Sequence, residues 1–471
     1  KSGRCEKGAK MTLVAGVDSS TQSVKIIIRN AESGQLVREG RASHPDGTEV
    51  DPALWWKALQ EAIASAGGLD DVSAISIGGQ QHGMVLLDSN GNVIRPALLW
   101  NDIRSAKEAK DLNEEISNIA ELTGSSLVAS FTASKVRWVV DNEPLNAAKI
   151  AAICLPHDWL SWKLSGSSDI NDLFTDRSDA SGTGYFNPVT SKYIPEVLEA
   201  VLRSDKKIVL PRIIDSREFG ATTNTGLKIG AGAGDNAGAG FGIQAQEGDV
   251  VVSLGTSGTA FAISKSSTHD SSGTIAGFAS VTGDFLPLVC TLNAARILDA
   301  ATQILGVTHD ELGELALRAP AGAHGLSLLP YFEGERTPNR PEATGVLAGI
   351  TLANSNREDI ARAYIEGMLS GLADAVDALE KAGVEIRRVF LVGGAAKNRA
   401  VSHIASALFG REVLVPPAGE YVANGAARQA AWALLGGDQP PQWNLGDVQS
   451  IKATPTPEVL VNYRKLRDMT A

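Results

Sequence analysis

The chain has 471 residues, enough for two to four domains at about 100–200 residues each. With 43% hydrophobic and 21% charged residues it reads as ordinary globular protein, which excludes a disordered chain and a small stapled scaffold. A net charge of −11 provides no field for nucleic acid or an anionic membrane, so neither is an expected partner.

Three scattered cysteines, Cys5, Cys154 and Cys290, fit a reducing compartment, and no window of about 18 apolar residues reads as a membrane span. The expected location is cytoplasmic. Residues 1–10 lack the apolar core of a secretory signal and precede a β-rich run, so they are expected to be an added extension, with Cys5 irrelevant to function. From residue 13 the run LVAGVDSSTQSVKIII predicts two strands about a tight polar turn, and a third strand follows near 36–42. An amphipathic helix is predicted over 55–66. A short buried strand over 72–79 leads into Gly78-Gly79-Gln80-Gln81-His82. Helical patterns over 103–122 and 134–140, and mixed signals over 151–164, make the class α/β. Between 187 and 226 the periodicity fades around Pro188, Pro195 and Pro211, as it does near a boundary.

A fresh hairpin opens at residue 248 with GDVVVSLGTSGTAFAIS. Laying 17–21 over 254–258 superposes both hairpins, which suggests two halves of similar design; unrelated hairpins sharing turn residues are the alternative. Helices are predicted near 293–305 and 310–318, then a loop over 330–341. A long helix over 357–382 follows, closed by Gly383. A buried strand over 388–392 runs into Gly393-Gly394-Ala395-Ala396 and a helix from about 398, a recurrent way of presenting backbone N–H groups to a nucleotide.

The first turn, Asp18-Ser19-Ser20-Thr21-Gln22-Ser23, concentrates hydroxyl and amide donors that suit phosphate oxygens, and Asp18 offers the hard oxygen that Mg²⁺ prefers. An ordinary solvated turn is the alternative. The second turn, Gly255-Thr256-Ser257-Gly258-Thr259, has the same character. Neither GxxxxGK[ST] nor GxGxxG occurs, so P-loop and Rossmann chemistry lose their support. Asp235, set among glycines and alanines, is placed to accept a hydroxyl proton in phosphoryl transfer; capping a helix over 237–243 is the competing role. The glycines of 230–242 are candidate hinges. Gln81 and His82 offer an amide and an imidazole to sugar hydroxyls, and Trp100, within Trp100-Asn101-Asp102, offers a face for stacking; structural roles are the alternatives. The absence of HExxH and CxxC argues against a protein-built transition-metal site.

In order and spacing these stretches, with Thr175-Asp176-Arg177-Ser178-Asp179-Ala180-Ser181-Gly182-Thr183, Gly334-Glu335-Arg336-Thr337-Pro338 and Gly393-Gly394-Ala395, resemble the FGGY family of carbohydrate kinases over almost the entire chain. The resemblance implies a two-domain, actin-like α/β fold, each half a ribonuclease-H-like sheet flanked by helices, with an interdomain active-site cleft. The halves would be 11–246 and 247–471. It implies ATP with Mg²⁺: Asp18 at the metal, Ser20, Thr21 and Gln22 in a first phosphate loop, Gly255, Thr256 and Ser257 in a second, and Gly394, Ala395 and Asn398 around adenosine. Gln81, His82, Trp100, Asp235 and Asn236 would bind the sugar, with Asp235 the catalytic base. The acceptor it favours is D-xylulose; related pentuloses, polyols, gluconate or glycerol are alternatives, and a homodimer is a candidate assembly because dimers are common in the family. Two departures stand out: Gln81 where members commonly carry Met, and Ile103 where they carry Gly. An actin- or Hsp70-like ATP-binding protein acting on protein partners is the remote alternative, against which Gln81-His82 and Trp100-Asn101-Asp102 argue.

Overall fold

A computed structural model describes residues 11–470; the expected extension over 1–10, with Cys5, lies outside the described residues. The strand Leu13–Ser19 alternates its faces. Leu13, Ala15 and Val17 turn toward Ile26, Ile28 and Trp55, whereas Val14 turns the other way, toward Ile27 and the alanines of the helix Tyr421–Leu435. The first sheet runs in the order Leu36–Ser43, Ser23–Asn30, Leu13–Ser19, Val72–Gly79, Lys228–Gly230, Phe219–Thr222, and Ala233–Gly234 pairs further along Val72–Gly79.

The second sheet has the order Phe285–Thr291, Gly258–Ala262, Asp249–Leu254, Arg388–Val392, Val413–Val415, Gln449–Ile451, with Ala276–Ala279 added outside the first of these. Successive neighbours in both sheets pair antiparallel, antiparallel, parallel, parallel and antiparallel. Agreement in order and direction over six strands makes the halves two versions of one ribonuclease-H-like design. The hairpins match with Ser19 over Leu254, their last paired residues, two positions from the register that turn chemistry alone suggests.

The chain divides into two compact units. The first holds the stretch up to Leu122, Leu127–Gln244 and Glu420–Asn444; the second holds Thr123–Ser126, Ala245–Gly419 and the stretch from Leu445. Residues 420–444 thus pack with the first unit although they follow 246 in the chain, and their helix covers the second face of the first sheet. Gly16 is the reason it fits: a Cβ there would overlap the backbone of Ala423 and Ala427, so helix and strand touch main chain to main chain. The same helix crosses Asp235–Gly242 where Gly425 meets the carbonyl of Gly238. Several glycines of 230–242 are thus close-packing positions. Gly230 sits against Ser76 and Gly232 against His157, both without room for a side chain.

In the second unit the core gathers on the helix Arg357–Lys381, whose Ile365, Leu369, Leu372 and Val376 join Val250, Val252 and Leu254. The pattern over 103–122 is two helices, Ala106–Glu115 and Ile119–Thr123. Among the described residues no helix is long and apolar enough to cross a membrane.

Candidate active site

In the first unit the strands Leu13–Ser19, Val72–Gly79 and Ala233–Gly234 run parallel and in register, with Asp18 beside Gly78 and Gly78 beside Ala233. Their carboxyl ends release Asp18-Ser19, Gln80-Gln81-His82 and Asp235-Asn236 side by side, at the end of a sheet where α/β proteins receive ligands. With strands about 4.8 Å apart, the outer two lie about 10 Å from each other.

Asp235 begins the helix Asp235–Gly242, and Gly234 takes the cap position, so the carboxylate is not the cap the sequence allowed. Its Oδ1 accepts from the Asn236 N–H at 2.7 Å and from Asn236 Nδ2 at 2.9 Å, which leaves Oδ2 as the oxygen able to take a proton. Burial lifts this carboxyl to about 6, against the pull of those bonds. Asp18 is lifted to about 7: burial is the main cause, Lys25 opposes it, and the charge of Asp235 adds to it. Asp18 Oδ1 is buried without a hydrogen-bond partner. An orphaned carboxylate oxygen of this kind fits a hard cation held through water.

Gln81 is buried with its amide laid over Gly234, where a Cβ would come within 2.9 Å of Nε2. His82 adopts a left-handed backbone, φ 70°, and its Nδ1 lies 2.6 Å from the Gly182 carbonyl, so Nδ1–H donates there. Trp100 is 39% exposed, and its Nε1 donates to Thr21 Oγ1 at 2.9 Å. Asp102 is buried between Thr48 and Arg104. Burial would raise its carboxyl, and the bonds from Arg104 and Thr48 overcome this to hold it below the usual range.

The first turn is built so that its carbonyls point inward. Ser20 donates to the Ser23 carbonyl through both its hydroxyl, at 2.8 Å, and its amide, at 3.0 Å, so its hydroxyl closes the turn. His44, which sequence reading passed over, donates from Nδ1 to the Ser20 carbonyl at 2.8 Å and from its amide to the Gln22 carbonyl at 2.8 Å. Burial holds its ring below the ordinary imidazole range and hence neutral. The amides of Thr21 and Gln22 and the Thr21 hydroxyl are left as donors, the makings of an anion nest.

In the second unit the Gly255 carbonyl accepts from the Ala295 amide at 2.9 Å and the Thr256 carbonyl from Arg296 Nε at 3.4 Å. No partner among the described residues occupies the hydroxyls of Thr256 and Ser257. Gly393 turns the chain with φ 98° against Leu254, and a Cβ on Gly394 would meet nothing within 4 Å, so the Gly394-Ala395 face is open. Asn398 is committed to structure. Its Oδ1 accepts from Ala400 N at 2.9 Å as the cap of Arg399–Phe409, and its Nδ2 donates to the His309 carbonyl at 2.7 Å. These bonds shape the loop and leave Nδ2 a second N–H.

A buried cluster behind the first site also escaped sequence reading. His157 Nδ1 lies 2.6 Å from Asp179 Oδ2, and Nε2 lies 3.2 Å from the Ala231 carbonyl and 3.3 Å from Asp158 Oδ1. Burial would lower the ring's pKa, but Asp158 and Asp179 reverse this and hold it up at about 10. Every neighbour is an acceptor, so both ring nitrogens carry protons, and an imidazolium stands where the grouping of His157, Asp158 and Asp179 could otherwise hold a metal. It lies under Gly79 and Gly232, the residues that lead to Gln81 and Asp235. The stretches Pro156-His157-Asp158 and Asp176-Arg177-Ser178-Asp179 are visible in sequence, but nothing local reveals their meeting.

The models for the N- and C-terminal domains of the FGGY family of carbohydrate kinases match residues 13–246 and 250–434. The chain belongs to this family. It is 39% identical to a xylulose kinase of Streptomyces coelicolor, covering 96% of this chain and 95% of that protein, and 40% identical to one of Streptomyces rubiginosus, covering 91% and 90%. The crystal structure of xylulose kinase from Bifidobacterium adolescentis matches with a TM-score of 0.91 at 46% identity, over 98% of this chain and 100% of that one. The two repeated sheets are therefore those of a two-domain FGGY sugar kinase, and the chain is an ATP:sugar phosphotransferase.

Proposed function

We propose that this FGGY kinase transfers the γ-phosphoryl group of ATP to the terminal 5-hydroxyl of D-xylulose, yielding D-xylulose 5-phosphate and ADP. The observation that carries the reaction is Asp235 at the end of the sheet, with Oδ1 pinned by Asn236, Oδ2 uncommitted and its carboxyl near 6. Xylulose rests on relatives of 39–46% identity over nearly whole chains that carry that name. Asp235 Oδ2 takes the hydroxyl proton as the sugar oxygen bonds to phosphorus and the bond to the ADP oxygen breaks. Phosphoryl transfer depends chiefly on positioning, so a base of this modest strength suffices.

Gln81 and His82 address other sugar hydroxyls. Thr21 and Gln22, and in the second unit Thr256 and Ser257, donate to phosphate oxygens, with adenosine against Gly394-Ala395. Asp18 would hold Mg²⁺ through water, and the ion, when bound, offsets negative charge on the phosphates. The free thiol of Cys154 suits a cytoplasmic location.

Coupled ADP release over xylulose, ribulose, arabinitol, xylitol, gluconate and glycerol is expected to rank xylulose first in kcat/KM; a better acceptor would overturn the sugar assignment. Asp235→Asn is expected to lower turnover by about 10²–10⁴ while nucleotide affinity, read by calorimetry, is kept. Because the base works deprotonated, kcat/KM is expected to be flat above the carboxyl's value of about 6 and to fall about tenfold per unit below it.

A further inference from the structure

One hydrogen bond ties the Trp100-Asn101-Asp102 stretch to the first turn. An indole N–H only donates, so in the 2.9 Å pair Thr21 Oγ1 is the acceptor and its own proton is aimed elsewhere. Among the described residues nothing accepts that proton. Other groups of the turn are already engaged: the Ser20 hydroxyl is bound to Ser23, and the carbonyls of Ser20 and Gln22 are bound to His44. The Thr21 hydroxyl therefore joins two backbone amides as a third donor on one small surface.

The tryptophan is held firmly enough to act in this way. Ala97–Leu98 pairs with Glu49–Val50, the Leu99 amide donates to the Thr48 carbonyl at 2.8 Å, and Asp102 is locked by Thr48 and Arg104. The indole N–H thus projects from a braced segment and can set the hydroxyl rotor of Thr21 before a ligand arrives.

We propose that Trp100 is a positioning residue for the phosphate turn: its N–H orients the Thr21 hydroxyl as a donor to a nucleotide phosphate oxygen. This rests on the reading of that turn as a phosphate site. It differs from stacking on the sugar because the two roles use different parts of the side chain: the ring face serves the sugar and Nε1 serves the turn.

Trp100→Phe keeps an aromatic face, though a smaller one, and removes the donor, so kcat/KM for ATP is expected to fall about five- to tenfold while KM for the sugar changes less than about twofold. Thr21→Val should lose a similar factor, Thr21→Ser should recover most of it, and Trp100→Phe/Thr21→Val should be no worse than the poorer single variant. A rise in sugar KM with unchanged ATP parameters in Trp100→Phe, or additive losses in the double variant, would overturn the proposal. Affinity for a non-hydrolysable ATP analogue, read by calorimetry on the full chain, repeats the comparison without any sugar; wild-type affinity in both single variants would also overturn it. If wild type binds the analogue and Trp100→Phe loses affinity, yet no sugar in the panel is phosphorylated, the acceptor assignment has failed and the link has not.

Discussion

The two hairpin turns solve the same problem with different materials. Each follows the first strand of its sheet, and each has carbonyls tied back by residues just past the strand that pairs with the far edge of that hairpin, so that donors are left facing outward. In the first unit the tie is partly a side chain, His44. In the second it is chiefly the main chain, the Ala295 amide at the start of the helix Ala295–Leu305, helped by a long bond from Arg296. An amide is present whatever residue stands there, whereas an imidazole is lost in one substitution. The duplicated fold thus carries one turn exposed to mutation and one protected from it. The contrast continues below the turns: Gly16, three residues before the last paired position, faces the backbone of a covering helix, whereas its counterpart by the Ser19–Leu254 match is Val251, a buried side chain.

Substitution can break these contrasts. Giving the first sheet the residue of the second, Gly16→Val, drives a side chain into the main chain of Ala423 and Ala427; a loss above about 4 kcal/mol in urea unfolding, or failure to fold, is expected. A small loss would mean that the helix Tyr421–Leu435 can move off the strand. His44→Ala removes one carbonyl tie, and kcat/KM for ATP is expected to fall about tenfold, the scale of one hydrogen bond. Arg296→Ala touches only a 3.4 Å bond and an exposed pairing with Glu333, and its effect is expected to stay within about twofold. Should Arg296→Ala prove the more damaging of the two, the second turn would be the one that depends on a side chain.

Much of the fold was legible because its signals are local. Residues 388–392 form the expected strand, and the helix predicted over 357–382 is Arg357–Lys381, since alternation, helical spacing and the Gly383 stop all act within a few residues. The chemistry-bearing stretches were equally visible, since hydroxyls in a turn and a carboxylate among glycines are compositional facts. Roles within them were less so. Ser20, Asp102 and Asn398 look like free polar groups in sequence, and each is taken up by a partner: Ser23, Arg104 and Thr48, and Ala400 and His309 respectively. His44 and His157 look like isolated histidines and prove to be a brace and a buried cation.

The amino-acid sequence by itself determined the α/β class, the paired hairpins and the residue types able to handle phosphate and a hydroxyl proton, because those depend on patterns a few residues long. Only the tertiary structure decided that residues 420–444 close the first unit, that Oδ2 of Asp235 is the uncommitted oxygen and that Trp100 reaches Thr21. Hydrogen-bond capacity and desolvation are set by neighbours hundreds of positions away, and no local pattern records which of them arrive.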